Sequence, residues 1–273
     1  MKKNIAILIV GQIRTNSLGT GNNNTFVNTF KPIFLNDQIT EKYNIDIFMV
    51  IDKINTEKAF DYFGSHLKKM IQLDYENIKN PLDLDLYIHN YMEFYNYRKN
   101  NPQLFPVVTN PRPIYIYKFY KLYCAYVTMK EYEENNNLKY DYIMKIRPDT
   151  SFHASFLTDI SKFEHHNLEL MCYNDYGFFG KYDIMSHICQ LIFVYGKYNY
   201  KEIKHENWIT LNILFHDYYL NLDSQWPCWS ESPEVQLIEH IIDYCYCNNI
   251  SYHLLHNKFN NIHLFEDRLN KVE

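Results

Sequence analysis

The chain has 273 residues, 47% of them hydrophobic and 17% aromatic, with 26 Tyr and 18 Phe, so a full core can be buried in one large α/β domain or two small ones. The net charge is -5 and no basic run is longer than Lys68-Lys69, which excludes a general electrostatic case for nucleic-acid binding. Six Cys, scattered at 124, 172, 189, 228, 245 and 247 in so large a chain, read as reduced thiols and not as a disulfide framework.

Ile5 to Val10 is a continuous apolar run, the pattern of a central parallel strand buried on both faces. Six apolar residues are too few for a signal-peptide core or a membrane span, so the expectation is a soluble, cytoplasmic protein without a membrane span. Gly11-Gln12-Ile13-Arg14 follows at once, and of the 7 Gly in the chain Gly11, Gly19 and Gly21 fall in this one region. Such clustering marks a loop where the backbone turns tightly or approaches something closely. Arg14 there is placed to face a phosphate, or to lie in solvent at a plain strand-to-helix turn.

Residues 24–36 predict a helix with Phe26, Val27, Phe30, Ile33 and Phe34 inward, kinked or started late by Pro32. Asp46 to Asp52 predicts a second buried strand, which completes a βαβ unit. If the two strands are neighbours, Asp52 lies beside the Gly11 loop, as a ribose or base acceptor or as an ordinary turn residue. The apolar period predicts helices over 56–73 and 84–99, with a polar loop between them. Residues 100–113 hold Pro102, Pro106, Pro111 and Pro113 and read as an extended surface loop.

Residues 118–136 predict a long helix with Phe119, Leu122, Tyr123, Tyr126 and Val127 on one stripe. Lys118 and Lys121 open it, as solvated lysines or as the lining of a phosphate site, because cations at a helix start oppose its dipole. The next strand carries Ile143, Met144 and Ile146 and stops at Arg147-Pro148-Asp149, because Pro148 cannot donate to a ladder. That leaves a cation and a carboxylate at the carboxyl end of a central strand, where ligands bind in open α/β sheets.

Further on, residues 155–163 predict a short helix and 168–173 a strand. Asn174 to Gly180 reads as a second Gly-bearing loop, and 182–195 and 208–220 as helices. Trp226 and Trp229 suit either a sugar-stacking wall or a core lid. Ser232-Pro233-Glu234 opens a helix running to about 247, with a cap, a first-turn proline and an acid on the dipole. Residues 250–255 form a last strand. No repeat or low-complexity linker divides the chain, and a single domain is expected, its nucleotide-binding part about residues 1–150 and its acceptor part about 151–273.

These elements together, from the Gly-Gln-x-Arg turn through Asp52 and the Arg-Pro-Asp strand tip to the Asp-Tyr-Gly-Phe-Phe-Gly segment, resemble a GT-A glycosyltransferase of the viral or bacterial surface-glycan type. The Tyr, Asn and Ile bias is similar to that of giant-virus proteins. The resemblance implies a Rossmann-type, mostly parallel central sheet with helices on both faces. It also implies a donor nucleoside-diphosphate sugar, with a UDP-sugar as first expectation, and a glycan or protein acceptor. In that family an acidic strand tip, commonly Asp-x-Asp, binds a divalent cation that bridges the pyrophosphate. Here Arg147 stands where the first acid would be, which leaves Asp149 as the ligand of Mn²⁺ or Mg²⁺ and His256 or His263 as a late partner.

Transfer must stabilise a departing diphosphate, a task for the cation and for Arg14, Lys118 or Arg147. An inverting reaction needs a base near the acceptor hydroxyl, for which Asp175 is the first candidate and Glu231 the second. Two rival classes stand beside the enzyme. One is a non-catalytic nucleotide- or sugar-binding module with a degenerate site. The other is a different α/β enzyme such as a hydrolase, and the absence of Gly-x-Ser-x-Gly and His-Glu-x-x-His counts against it.

Overall fold

A computed structural model gives the fold and describes residues 2–11, 25–52, 57–73, 116–148, 156–173, 177–193 and 250–254, with 86–89, 92, 93, 96, 100, 241, 245 and 248 besides. The strands are β1 (Lys3–Gly11), β2 (Tyr43–Asp52), β3 (Leu67–Leu73), β4 (Tyr142–Ile146), β5 (Leu170–Tyr173), β6 (Gly177–Lys181) and β7 (Tyr252–Leu254). The helices are α1 (Thr25–Phe34), α2 (Asp37–Thr40), α3 (Glu57–Phe63), α4 (Ile116–Asn136), α5 (Phe156–His165) and α6 (Tyr182–Cys189).

The strands form one seven-stranded sheet in the order β3-β2-β1-β4-β6-β5-β7. β3, β2, β1 and β4 pair in parallel, and β7 pairs in parallel with β5. β6 alone runs the other way, antiparallel to β4 on one side and to β5 on the other. The fold is therefore an α/β doubly wound type with a mostly parallel central sheet. Residues 5–10 of β1 are all buried, as a strand covered on both faces requires.

Alternation along the strands divides the core. Ile5, Ile7, Ile9, Ile47, Met49, Ile51, Met144 and Ile146 share one face with Phe26, Phe30 and Phe34 of α1, Phe63 of α3 and Phe163 of α5. The Phe30 ring meets that of Phe63 edge-on at 5.3 Å, and Phe163 meets Phe179 at 4.9 Å. Each such fully buried ring contributes ~1.5–3 kcal/mol of apolar transfer. On the other face Phe48 packs edge-on against Tyr132 of α4 at 5.5 Å, and Met185 of α6 lies against Gly180 of β6. Helices thus cover both faces.

α1 starts at Thr25 and carries Pro32 in its last turn. Asn36 takes up the loose ends there. Its amide donates to the Pro32 carbonyl at 2.7 Å while its side-chain oxygen accepts from the Ile39 amide at 3.1 Å, which starts the short α2. α4 ends on Asn137 in the left-handed region, φ 49°, with the Leu138 amide donating back to the Glu133 carbonyl at 3.0 Å.

Two segments differ from the sequence expectation. The helix expected over 56–73 stops at Phe63, Gly64 takes φ 56°, and Leu67–Leu73 becomes the edge strand β3 beside β2. Ala59, Phe63, Leu67 and Met70 keep a helical period across the break, but a left-handed glycine is a helix stop. The second Gly-bearing segment is a loop only in expectation: Gly177–Lys181 is β6, in the interior of the sheet. Gly180 is glycine because a Cβ there would lie 2.8 Å from the Glu169 carbonyl oxygen.

The chain divides into two compact units, residues 1–79, 121–190 and 250–273 in one and 80–120 with 191–249 in the other. The first contains the whole sheet. In the second, residues 86–89 are helical, Tyr87 meets Phe193 edge-on at 6.2 Å, and Ile241 and Cys245 are buried helical residues. The four described cysteines, Cys124, Cys172, Cys189 and Cys245, form no disulfide. Among the described residues no helix is long and apolar enough to cross a membrane.

Candidate functional site

The chain leaves β1 in two directions. β1 connects to β2 through α1, on the face of the Phe26–Phe63 cluster, whereas β3 returns to β4 through α4, on the opposite face. β1 and β4 are neighbours in the sheet, so the topological switch point lies between them. In open α/β sheets the crevice outside the carboxyl ends at such a point is the ligand site.

At this point the backbone of β1 meets β4. Ile9 pairs with Ile146, which puts Gly11 beside Pro148. A Cβ on Gly11 would stand 3.0 Å from Pro148 Cδ and 3.6 Å from Cγ, and Gly11 holds φ 149°, a conformation L side chains rarely adopt. The close approach expected of this glycine is therefore made, on this side, to Pro148. Pro148 is buried, Arg147 is half-buried, and neither continues the ladder.

The other expected site residues fall into groups. Gly11 is paired with Ile51, so Asp52, the last residue of β2, stands next along from the Gly11 loop as the neighbouring-strand condition requires. Gln12, Arg14, Asp149, Asp175, Glu231 and His256 lie outside the described residues. The strands from which several of them continue are placed: Gln12 follows β1 and Asp149 follows Pro148. Asp175 lies between Tyr173 and Gly177, which are register partners, and Gly177 also pairs with Ile146. The element after Asp175 is thus a strand, not the expected helix, and the connection leaves the sheet beside the carboxyl end of β4. His256 follows β7, three places from β4 in the sheet, or ~14 Å at the usual strand spacing. Lys121 is buried, at 8% exposure, whereas Lys118 is exposed and belongs to the second unit.

One basic residue near this end was not anticipated. Lys145 is 7% exposed, sits in β4 opposite Leu8 and Phe178, and holds its ammonium 5.3 Å from the Phe178 ring centroid. Burial pushes the Cys189 thiol up, and the Lys145 charge offsets part of that. The signal was a lysine inside the apolar run Tyr142–Ile146.

The opposite end of the sheet is closed by polar networks. Lys3 Nζ donates to Tyr142 at 2.7 Å and to Glu164 at 2.8 Å, and these bonds hold its pKa above the usual lysine value. Tyr43 donates to the same Glu164 at 3.4 Å. Glu133, 4% exposed, accepts from the Tyr140 amide at 3.0 Å, from Lys130 at 2.9 Å and from Tyr182 at 2.8 Å. Tyr140 donates to Asp46 at 2.8 Å, and Lys68 pairs with Asp46 at 3.2 Å.

No family model matches the chain, and no curated protein matches it. Among solved structures, a protein of Desulfovibrio desulfuricans G20 described as a nucleotide-diphospho-sugar transferase aligns over 94% of this chain and 80% of its own, at 11% identity and TM-score 0.39. A cytidylyltransferase of Leptospira borgpetersenii serovar Hardjo-bovis aligns over 95% of this chain and 78% of its own, at 9% identity and TM-score 0.39. A likeness at that score carries neither a residue role nor an activity across to this chain.

Proposed function

We propose that the chain is a glycosyltransferase that moves a sugar from a nucleoside-diphosphate sugar, with UDP as the expected nucleotide, to a glycan or protein acceptor. The observation that supports this most is the switch point between β1 and β4, where Gly11 packs on Pro148 and Arg147 leaves the sheet. In this reading Asp52 meets the ribose or base, and Arg14 and Arg147 neutralise the diphosphate. Asp175, on the connection beside β4, takes the acceptor proton, with Glu231 as the second candidate.

Among the described residues no group of three or more His, Cys, Asp or Glu is placed to hold a metal ion. The proposed ligands, Asp149 and His256, lie outside them, so the case for Mn²⁺ or Mg²⁺ rests on the chemistry of the donor. A divalent cation bound there would supply positive charge to the departing diphosphate.

Thermal-shift measurements with a panel of nucleotides, with and without Mn²⁺, test the reading. UDP or another nucleoside diphosphate is expected to raise the melting temperature more than the nucleoside does. No shift with any nucleotide would overturn it. The arginine in place of a first acid favours a second reading, a module that binds the nucleotide-sugar without turning it over. Nucleotide binding without donor hydrolysis or transfer would select that second reading.

A further inference from the structure

β1 keeps its two neighbours for different lengths. It stays paired with β2 as far as Gly11, opposite Ile51, but with β4 only as far as Ile9, opposite Ile146. β4 gives up β6 at the same place, because Ile146 is also its last partner there, opposite Gly177. The tip of β4 therefore leaves the sheet while β1 is still held by β2, and the two strands part at the switch point.

Pro148 accounts for the parting. Its ring carbon Cδ is bonded to the nitrogen where any other residue carries an amide hydrogen, so it offers no ladder bond. The ring is turned toward β1, since a Cβ on Gly11 would stand 3.0 Å from Cδ and 3.6 Å from Cγ. It is also buried, so it fills space between the strand ends. Arg147 directly precedes it and Asp149 follows it in the chain, as Gln12 and Arg14 follow Gly11. One contact thus joins the roots of the two segments that meet the diphosphate in the glycosyltransferase reading.

We propose that Pro148 is a positioning residue of the nucleotide site, whose ring, set against Gly11, fixes the separation of the segments that continue β1 and β4. The proposal rests on the nucleotide-sugar reading and adds what holds the two halves of that site apart. An amide at position 148 could extend the β1–β4 ladder and draw the strand ends to the ~4.8 Å of paired strands. The ring forbids that bond, and its fixed φ removes one soft dihedral between Arg147 and Asp149. Glycine at position 11 belongs to the same device, because a side chain there would push the ring and the β4 tip away.

The test is calorimetric titration of the full chain with UDP and with uridine, in the presence of Mn²⁺. It compares the wild type, Pro148→Ala, Gly11→Ala, the double variant and the control Pro32→Ala, an exposed position in the last turn of α1. Pro148→Ala is expected to weaken UDP by about tenfold or more, the loss of one charge-assisted hydrogen bond, and to leave uridine unchanged. Pro32→Ala should match the wild type for both. The two seam substitutions should not add: without the ring the added methyl has room, so Gly11→Ala should weaken UDP less in the Pro148→Ala background than alone. Wild-type UDP affinity in Pro148→Ala, or additive losses in the double variant, would overturn the role of Pro148 while the nucleotide reading stands. Equal weakening of UDP and uridine would make the ring a part of the fold only and overturn it too. A wild type that binds UDP no better than uridine would remove the nucleotide reading and the proposal with it. If Pro148→Ala does not fold, Pro148→Val replaces it, and failure of both to fold would assign the ring to the core and overturn the proposal.

Discussion

The two ends of the sheet are built from different materials. At the amino end, charged and phenolic groups satisfy one another across long sequence separations: Lys3 with Glu164 and Tyr142, Tyr140 with Asp46, and Tyr182 with Lys130 and Glu133. At the carboxyl end, the described closure is backbone against ring, Gly11 on Pro148, and the strands run on into Arg147, Asp52 and the segments that follow. On the proposed reading the polar groups of the carboxyl end serve a ligand, whereas those of the amino end serve stability. The comparison teaches that substitutions at the two ends should fail differently, in stability at one and in binding or turnover at the other.

The largest effect is expected at the carboxyl end. Asp149→Asn removes the negative charge that would hold the cation and keeps the shape. Donor hydrolysis is expected to fall ~10²–10³-fold, the usual cost of losing one preorganised group that stabilises transition-state charge. The melting temperature without ligand should stay within error of the wild type. Retained hydrolysis would move the work of neutralising the diphosphate to Arg147 and Arg14, and so would full wild-type activity in excess chelator.

Next in size is Glu133→Ala at the amino end. It leaves the Tyr140 amide without its acceptor and separates Lys130 and Tyr182 from their shared carboxylate. A loss of ~2–3 kcal/mol in denaturant unfolding is expected, because a buried donor is left unsatisfied. Nucleotide affinity of the folded fraction should not change. A loss of affinity without a loss of stability would break the division between the two ends.

Much of this arrangement is legible in the residues, and what is not has identifiable physical causes. β1 announces itself as a continuous apolar run and β2 and β4 as mainly apolar ones, and Gly11, Asp52 and Arg147 are recognisable as strand ends because polar or turn residues stop each run. β3 and β6 are not legible. Gly64 breaks a helical period that the apolar residues continue, and Gly180 looks like a loop residue until the Glu169 carbonyl is seen to occupy its Cβ position. Lys145 was passed over because pattern reading treats a lysine within an apolar run as a blemish. The amino-end networks are invisible in one dimension, since Lys3 and Glu164 are 161 residues apart.

Gly11→Ala comes third, because it tests the seam between β1 and β4. The added methyl meets Pro148 Cδ at 3.0 Å and needs φ 149°. About 1–3 kcal/mol of destabilisation is expected from the backbone conformation, together with weaker nucleotide binding, since the strain is relieved only by moving the strand ends apart. Destabilisation with unchanged binding would make the seam structural and place the ligand away from it.

The smallest effect belongs to Tyr43→Phe at the amino end. The hydroxyl gives up a long 3.4 Å bond to Glu164, and Lys3 and Tyr142 still hold that carboxylate, so the loss at pH 8 is expected to be only ~0.5–1 kcal/mol. Its signature is in alkali. Burial, then the Glu164 charge, pushes the Tyr43 hydroxyl up to about 12, and burial takes Tyr62 and Tyr182 up to about 12 as well. A phenol whose pKa is higher folded than unfolded binds more protons in the native state between the two values. Its contribution is complete below about pH 10, the unfolded value, and is lost as pH rises from about 10 to about 12. Urea midpoints should therefore be level in Tyr43 from pH 8 to about 10 and fall above it. The Tyr43→Phe midpoint should start slightly lower and fall less steeply, so that the two curves converge. Parallel curves would show that the Tyr43 hydroxyl is no more protonated in the native state than in the unfolded chain, and would remove it from the group that closes the amino end.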